Sequence, residues 1–509
     1  MFAKIRSLGV KGIDGFPVSV EVDAAAGLPA FSIVGLADTE IKESKDRVAA
    51  AIRNSGFDFP LKKITVNLAP AELKKNGTHF DLPIALGVLA ASGQLDGAEQ
   101  SLSGTAFIGE LALDGEIRPV SGILPMLLAA KDLNIPAVVP RANRAEASVS
   151  GAKACAARDL KTLAAAITAQ APLEDCARGI CGAVSQPDGG DGDFREVKGQ
   201  PLAKRALEIA AAGGHNVLMM GPPGSGKSML AKRFPGILPP MTDTEALEVT
   251  KIYSVCGFTR GGSLMRRRPF RDPHHTISEA ALVGGGTTPR PGEVSLSHNG
   301  VLFLDELSEF SRSTLEVLRE PLETFRVTVS RVKETVCYPA RLTLIAASNP
   351  CQCGFCGHPD RPCSCTPLQI QRYRSRLSGP LIDRIDMHIQ LAPVKYVHWA
   401  QASEGEPSSE IRARVVRARK IQAGRFAGTA TTANSFMSVS QIKKFCAVPA
   451  DGSATLETAM NRFGLSARSL DKILKVARTI ADLEGAPEIA KAHIMEVLQY
   501  RNFDRQNIP

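Results

Sequence analysis

The stretch Gly221-Pro222-Pro223-Gly224-Ser225-Gly226-Lys227-Ser228 decides the fold. It follows a short apolar run, Val217-Leu-Met-Met220, and precedes a helical pattern that begins Met229-Leu-Ala-Lys-Arg. A strand, a glycine loop and a helix start, in that order, are what a phosphate-binding loop requires. Glycines let the backbone curl so that its N–H groups face inward on phosphate oxygens. The helix that follows adds the partial positive charge of its N-terminus. Lys227 reaches β- and γ-phosphates, and the Ser228 hydroxyl ligates Mg2+. All eight residues from Gly221 to Ser228 are therefore candidates for contact with ATP. A flexible Gly/Pro turn is the plainer reading of the same residues.

The partner motif is Val301-Leu-Phe-Leu-Asp305-Glu306-Leu. Four apolar residues predict a buried strand with two carboxylates at its C-terminal end, where open α/β sheets bind ligands. Asp305 is the expected Mg2+ residue, and Glu306 the group that orients and activates the attacking water. Together the two motifs predict ATP hydrolysis rather than nucleotide storage. The plainer alternative is a strand ending in two surface acids. The interval between Lys227 and Asp305 far exceeds the roughly 30 residues of a βαβ unit. Its surplus includes Arg266-Arg-Arg-Pro-Phe-Arg-Asp-Pro-His-His-Thr276 and Gly284-Gly-Gly-Thr-Thr-Pro-Arg-Pro-Gly292, an insertion too rich in Gly and Pro to be one helix.

The chain has 509 residues, enough for about three domains. Residues 1–170 read as mixed α/β, 171–193 as a polar glycine-rich linker, 194–395 as the ATPase core, and 396–509 as helical. No apolar run approaches the roughly 18 residues that span a bilayer, and the N-terminus lacks a signal-peptide core. The expected location is cytoplasmic, with no membrane partner. A net charge of +9 permits a nucleic-acid partner. With 5% aromatic residues, phosphate contacts are expected to outweigh base stacking. Five of the eleven cysteines cluster as Cys351-x-Cys353-x2-Cys356-x6-Cys363-x-Cys365. In a reducing compartment such a cluster points to a tetrahedral structural Zn2+ site, the alternative being plain buried thiols.

Several runs carry a family resemblance. They are Arg268-Pro-Phe-Arg-Asp-Pro-His-His-Thr-Ile-Ser278, Leu282-Val-Gly-Gly-Gly286, Pro291-Gly-Glu-Val-Ser-Leu-Ser-His-Asn-Gly300 and Tyr373-Arg-Ser-Arg-Leu-Ser-Gly-Pro-Leu-Ile-Asp-Arg-Ile-Asp386. Over essentially its whole length the chain resembles the magnesium-chelatase-like AAA+ proteins of the ComM/YifB type. The resemblance implies an α/β P-loop AAA+ core with a helix-2-type insertion and a C-terminal α-helical lid. It also implies a hexameric, ATP- and Mg2+-dependent DNA helicase for branch migration of recombination intermediates in natural transformation, acting on single-stranded and branched DNA. Asn349 in Ala346-Ala-Ser-Asn-Pro350 resembles sensor 1. Arg384 in Asp383-Arg-Ile-Asp386 resembles an arginine finger donated to a neighbour's ATP. Arg468 resembles sensor 2. The segment Glu323 to Tyr338 resembles the hairpin placed before sensor 1, so Arg331 and Lys333 are the implied DNA contacts. The family pattern matches Cys351, Cys353, Cys363 and Cys365 as the metal thiols and leaves Cys356 as the alternative, although its Cys-x2-Cys spacing from Cys353 is the more conventional.

Residues 1 to about 165 resemble the proteolytic domain of Lon proteases, an S5-like α/β fold also attached to the repair ATPase RadA. The matching runs are Val66-Asn-Leu-Ala-Pro70, Gly109-Glu-Leu-Ala-Leu-Asp-Gly-Glu-Ile-Arg-Pro-Val-Ser-Gly122 and Ala137-Val-Val-Pro140. No serine stands near Thr78-His-Phe-Asp-Leu-Pro83, and Ile123-Leu-Pro-Met replaces the lysine segment. Without both groups a Ser/Lys mechanism fails, so a scaffold for ring assembly or a second DNA-contacting surface is expected rather than a protease. Two other functions compete with the DNA motor. One is a magnesium-chelatase-type subunit, which leaves the N-terminal domain and the cysteines unexplained. The other is an ATP-dependent assembly or chaperone-like protein.

Overall fold

Alternating apolar residues open the chain, and they form long strands buried largely on one side. In the computed structural model, residues 1–95, 97–176, 192–259, 264–286, 289–331, 334–393 and 405–501 are described. The chain divides into two compact units, one of residues 1–185 with 243–265, the other of 186–242 with 266–509.

In the first unit, β1 (Phe2–Lys11) pairs antiparallel with β2 (Asp14–Ala25), from Phe2 opposite Asp23 to Lys11 opposite Asp14. Val18, Val20, Val22 and Ala24 of β2 point inward, the period-two pattern of a half-buried strand. The other members are β3 (Ala30–Val34), β4 (Lys63–Ala69), β5 (Ala106–Phe107), β8 (Ala137–Pro140), β9 (Ala154–Ala157) and β10 (Glu174–Asp175). A small hairpin, β6 (Glu110–Leu111) and β7 (Ile117–Arg118), stands apart from that sheet. Among the described residues the sheet order is β10-β9-β8-β5-β1-β2-β4-β3. Helix Asp81–Ala91, apolar almost all round, packs on β1 and β2 and is almost wholly buried.

Helix Asp243–Val255 belongs to this unit, although its sequence interrupts the second. It packs on helix Ile123–Asp132. The Ser254 carbonyl accepts the Gly122 N–H at 2.9 Å, and Lys251 reaches Asp14 at 2.6 Å. Part of the surplus between the two ATP motifs thus serves the N-terminal unit.

The second unit is built on β11 (Val217–Met220), β12 (Phe270–Arg271), β15 (Val301–Leu304), β18 (Thr343–Ser348) and β19 (Met387–Gln390). They form a sheet of order β12-β15-β18-β11-β19, every pairing parallel. β11, β15 and β18 are buried at every position, which is why they read as unbroken apolar runs. Their C-terminal ends lie side by side, so the segments after β15, β18 and β11 issue along one edge. The ladder β13 (Gly284–Gly285) with β14 (Arg290–Pro291) and the hairpin β16 (Arg326–Arg331) with β17 (Glu334–Pro339) stand outside that sheet. Beyond residue 405 the described chain is helical. Helices Ser408–Arg425 and Ala467–Glu484 both pack on helix Pro201–Gly213.

Candidate ATP site

The loop after β11 curls because glycines occupy its left-handed positions, with φ of 78° at Gly224 and 91° at Gly226. At Gly221 a Cβ would lie 2.8 Å from the Leu391 carbonyl oxygen, so that position also needs glycine. Lys227 is buried and turns its Nζ back into the loop. It donates to the carbonyls of Gly221 at 2.6 Å and Pro222 at 3.0 Å, and to Asn349 Oδ1 at 3.1 Å. Burial lowers its pKa, with the charges of Asp305 and Glu306 opposing that shift. Ser228 Oγ donates to Asp305 Oδ2 at 2.6 Å. Lys227, Ser228, Asp305 and Asn349 come together because β18 lies between β15 and β11.

The loop's remaining donors fit a phosphate ligand. Ser225 Oγ is buried and has no partner among the described residues. A buried hydroxyl in that state costs free energy until an acceptor arrives. The Ser228–Asp305 pair presents two oxygens to a hard cation such as Mg2+. A cavity of about 500 Å³ borders the loop at Gly221 and Pro222, walled also by His358, Pro359 and Leu391, on a side that Lys227, Ser228 and Asp305 do not line.

Glu306 sits in the left-handed region at φ 50° and is 54% exposed. Its N–H donates to Asp305 Oδ1 at 2.9 Å. His275 Nδ1 lies 3.6 Å from Glu306 Oε2, within ion-pair range and beyond a direct hydrogen bond. The His275 ring is held by His274, centroids 4.1 Å apart, and by the edge of Phe310. In the same run, burial raises the Asp272 carboxyl, Lys232 opposes, and the charge of Asp305 adds to the rise. Sequence reasoning marked this run as an insertion but did not connect it to Glu306.

Arg384 and Arg468 gather elsewhere in the unit. Arg384 donates to Glu323 Oε2 at 2.5 Å and to the Pro380 carbonyl at 2.7 Å. Arg468 donates to Glu323 Oε1, also at 2.5 Å. The Arg384 hydrogen bond, then its charge, holds the Glu323 carboxyl below its usual range despite opposing desolvation. Nearby, burial alone would raise Asp386, but Lys472, His215 and the Asn216 N–H hold it far below the carboxylate range. Asn216 itself ties three strand starts together. Its carbonyl accepts Met387 N–H at 3.1 Å and its Oδ1 accepts Leu344 N–H at 2.8 Å. Asn216 carries no sequence motif, and Glu323 stands in the sequence only as the start of the hairpin segment.

The cysteine loop follows Asn349. Sγ of Cys351 lies 3.4 Å from that of Cys353 and 3.7 Å from that of Cys363, and Cys353 to Cys363 is 3.5 Å. With Cys365 all four sulfurs fall within 4.8 Å of one another. A tetrahedron of about 2.3 Å bonds has edges of about 3.8 Å, so the set fits Zn2+. Cys356 is outside that group and contributes its N–H to Cys351 Sγ at 3.3 Å. Within the set the Phe355 N–H pulls the Cys353 thiol down, while burial and the neighbouring thiols push Cys363 and Cys365 up. Gly354 at φ 84° packs so closely that a Cβ would lie 2.6 Å from Pro223 Cδ, which seats this loop against the phosphate loop.

Of the hairpin residues singled out, Arg331 ends β16 opposite Glu334, and Lys333 lies outside the described residues. The linker from 177 to 191 is also outside them. In the first unit His79 is buried, which lowers it to about 4, and Asp81 is raised by burial to about 6 against the pull of Arg47.

Three family patterns match the chain. They are described as magnesium chelatase, subunit ChlI, over residues 193–399, subunit ChlI of Mg-chelatase over 20–143, and magnesium chelatase, subunit ChlI C-terminal, over 405–501. The YifB protein of Salmonella typhimurium is 43% identical across 99% of this chain and 97% of its own length. The competence protein ComM of Haemophilus influenzae is 42% identical across 98% and 97%. The chain belongs to the ComM/YifB-type magnesium-chelatase-like family. The magnesium-chelatase subunit ChlI of Euglena gracilis is more distant, 23% identical over 45% of this chain and 63% of its own length. Membership of this AAA+ family carries ATP and Mg2+ as cofactors. Among the described residues no helix is long and apolar enough to cross a membrane.

Proposed function

We propose that this ComM/YifB-type protein is an ATP-driven DNA motor that assembles as a ring, taken as hexameric, and promotes branch migration of recombination intermediates. The observation that carries the shared-site part is the separation of two sets of residues. Lys227, Ser228, Asp305 and Asn349 converge on one site, while Arg384 and Arg468 gather on Glu323. In this reading ATP binds the first set in one subunit and receives the arginines of the next. An arginine supplied in this way is worth about 10³–10⁵ in rate. Lys227 holds the phosphates, Ser228 and Asp305 hold Mg2+, Asn349 positions the water and Glu306 activates it. Bound Mg2+ would neutralise charge on the phosphates.

DNA as the track is supported by the net charge of +9, by the basic hairpin around Arg331 and Lys333, and by kinship with a protein named for competence. A structural Zn2+ on Cys351, Cys353, Cys363 and Cys365 would stiffen the segment after Asn349. The N-terminal unit is taken as a Lon-like scaffold without protease chemistry, in a cytoplasmic protein. A magnesium-chelatase-type subunit is the second reading, favoured by the family patterns over residues 193–399. ATPase rates with single-stranded, duplex and four-way-junction DNA separate the readings. Stimulation by DNA together with migration of a branched substrate supports the motor. Stimulation only by chelatase partner subunits supports the second reading, and indifference to both supports an assembly ATPase.

A further inference from the structure

Glu323 is the shared acceptor of two arginines from two distant helical elements. Arg384 follows helix Gly379–Ile382, and Arg468 lies in the first turn of helix Ala467–Glu484. Each donates one hydrogen bond of 2.5 Å to a different oxygen of the same carboxylate. The arrangement is incomplete in a specific way. Arg384 Nε is buried and has no acceptor among the described residues, although the side chain as a whole is 10% exposed. A carboxylate has two oxygens and one charge, too little for two guanidinium groups. The surrounding cavity, about 290 Å³, is also lined by Lys472 and Lys475. The Asp386 carboxylate in its wall is already engaged by Lys472 at 3.3 Å. Arg384 Nε is therefore a donor that the acids of the cavity, Glu323, Asp386 and Asp471, leave without an acceptor.

We propose that Glu323 is a positioning residue that occupies Arg384 and Arg468 as a stand-in for the terminal phosphate of a nucleotide held by a neighbouring copy of this chain. The inference rests on the shared-site reading above. A terminal phosphate brings three oxygens and close to two charges, so it outcompetes a carboxylate for two guanidinium groups. The exchange is feasible because Glu323 is 44% exposed, and partly solvated ion pairs are weak. Glu323 thus keeps the arginines folded and together until ATP in the next subunit draws them away. Hydrolysis weakens the competitor, and Glu323 takes the arginines back.

Removing the charge while keeping the shape tests this. In the full-length protein Glu323→Gln is expected to raise steady-state kcat roughly three- to tenfold, the range that releasing one or two weak ion pairs allows. ATP affinity of the phosphate loop, measured with a fluorescent ATP analogue, stays unchanged, as does the melting temperature. Glu323→Asp, which keeps the charge, remains near the native rate. The double variant Glu323→Gln with Arg384→Ala loses the gain, because the freed residue is gone. A Glu323→Gln rate equal to or below native, with Arg384→Ala inactive, overturns the proposal and leaves the shared site standing. Native ATPase in Arg384→Ala overturns the shared site and this proposal with it.

Discussion

In the proposed reading Glu306 activates the water, and His275 lies 3.6 Å from its carboxylate. Glu306 projects from a left-handed backbone position, and His275 is the group beside its carboxylate. Glu306→Gln keeps the shape and removes the base. It is expected to lower kcat at least about 100-fold while ATP still binds, the usual scale for losing a general base. Quenched-flow hydrolysis and equilibrium ATP binding check the two halves, and a rate within tenfold of native would remove Glu306 from that role. His275→Ala, by letting the carboxylate wander, is expected to lower kcat about tenfold at unchanged ATP affinity. An unchanged rate would make the histidine a bystander. Asp305, Glu306 and the residues of the loop were legible in the sequence because each motif is contiguous and its geometry local. His275 was not, since nothing in a linear reading says which side chain will face Glu306 after β12 pairs with β15.

The cysteine loop and the hairpin act as whole elements. Four thiols within 4.8 Å of one another repel as thiolates unless a cation binds them. Freshly purified, reduced protein is expected to hold about one Zn2+ per chain, lost in Cys351→Ser with Cys363→Ser. Because Gly354 packs on Pro223, the zinc-free variant should also bind ATP more weakly. Metal analysis showing none in the native protein would leave four clustered free thiols and no site. The spacing of these cysteines was legible, but setting Cys356 aside rested on the family pattern. It is the fold of the loop that turns Cys365 toward the others. For the hairpin, Arg331→Ala with Lys333→Ala is expected to reduce the salt slope of DNA binding by about two, near 0.9 per lost phosphate contact. A salt titration showing the native slope would remove Arg331 and Lys333 as proposed DNA contacts. The helix Asp243–Val255 is the element that sequence placed least well. Its position between two ATP motifs suggested a place in the ATPase unit, whereas its buried contacts lie on Gly122 and Leu124 of the first unit.

Over the whole molecule, buried titratable groups set unequal pH responses in the two units. Burial holds His388 of the second unit down to about 3 from 6.5, with Arg501 and Lys472 adding to the fall. Between those values the unfolded chain binds the proton and the folded one does not, so stability rises with pH and is lost on acidification. In the first unit His79, lowered to about 4, acts in the same sense. Asp81, raised to about 6 from 3.8, acts in the other, because there the folded form holds the extra proton. The two largely cancel. Acidification from pH 7 to 4 should therefore destabilise the second unit by a few kcal/mol and the first by less. Calorimetry across that range checks this, and His388→Asn should flatten the slope. The shared site is the larger claim at this scale. Arg384 and Arg468 reach Glu323 across 61 and 145 residues of sequence, so no linear reading could show that they meet there rather than at Lys227. Mixing inactive subunits tests whether a second copy completes the site. Lys227→Ala lacks the phosphate grip and Arg384→Ala the donated arginine, so each should be inactive alone. In an equal mixture about one interface in four joins an intact loop to an intact arginine in a head-to-tail ring, and ATPase should recover to about a quarter of the native rate. A mixture as inactive as its parents, or an Arg384→Ala protein with full activity alone, would contradict it.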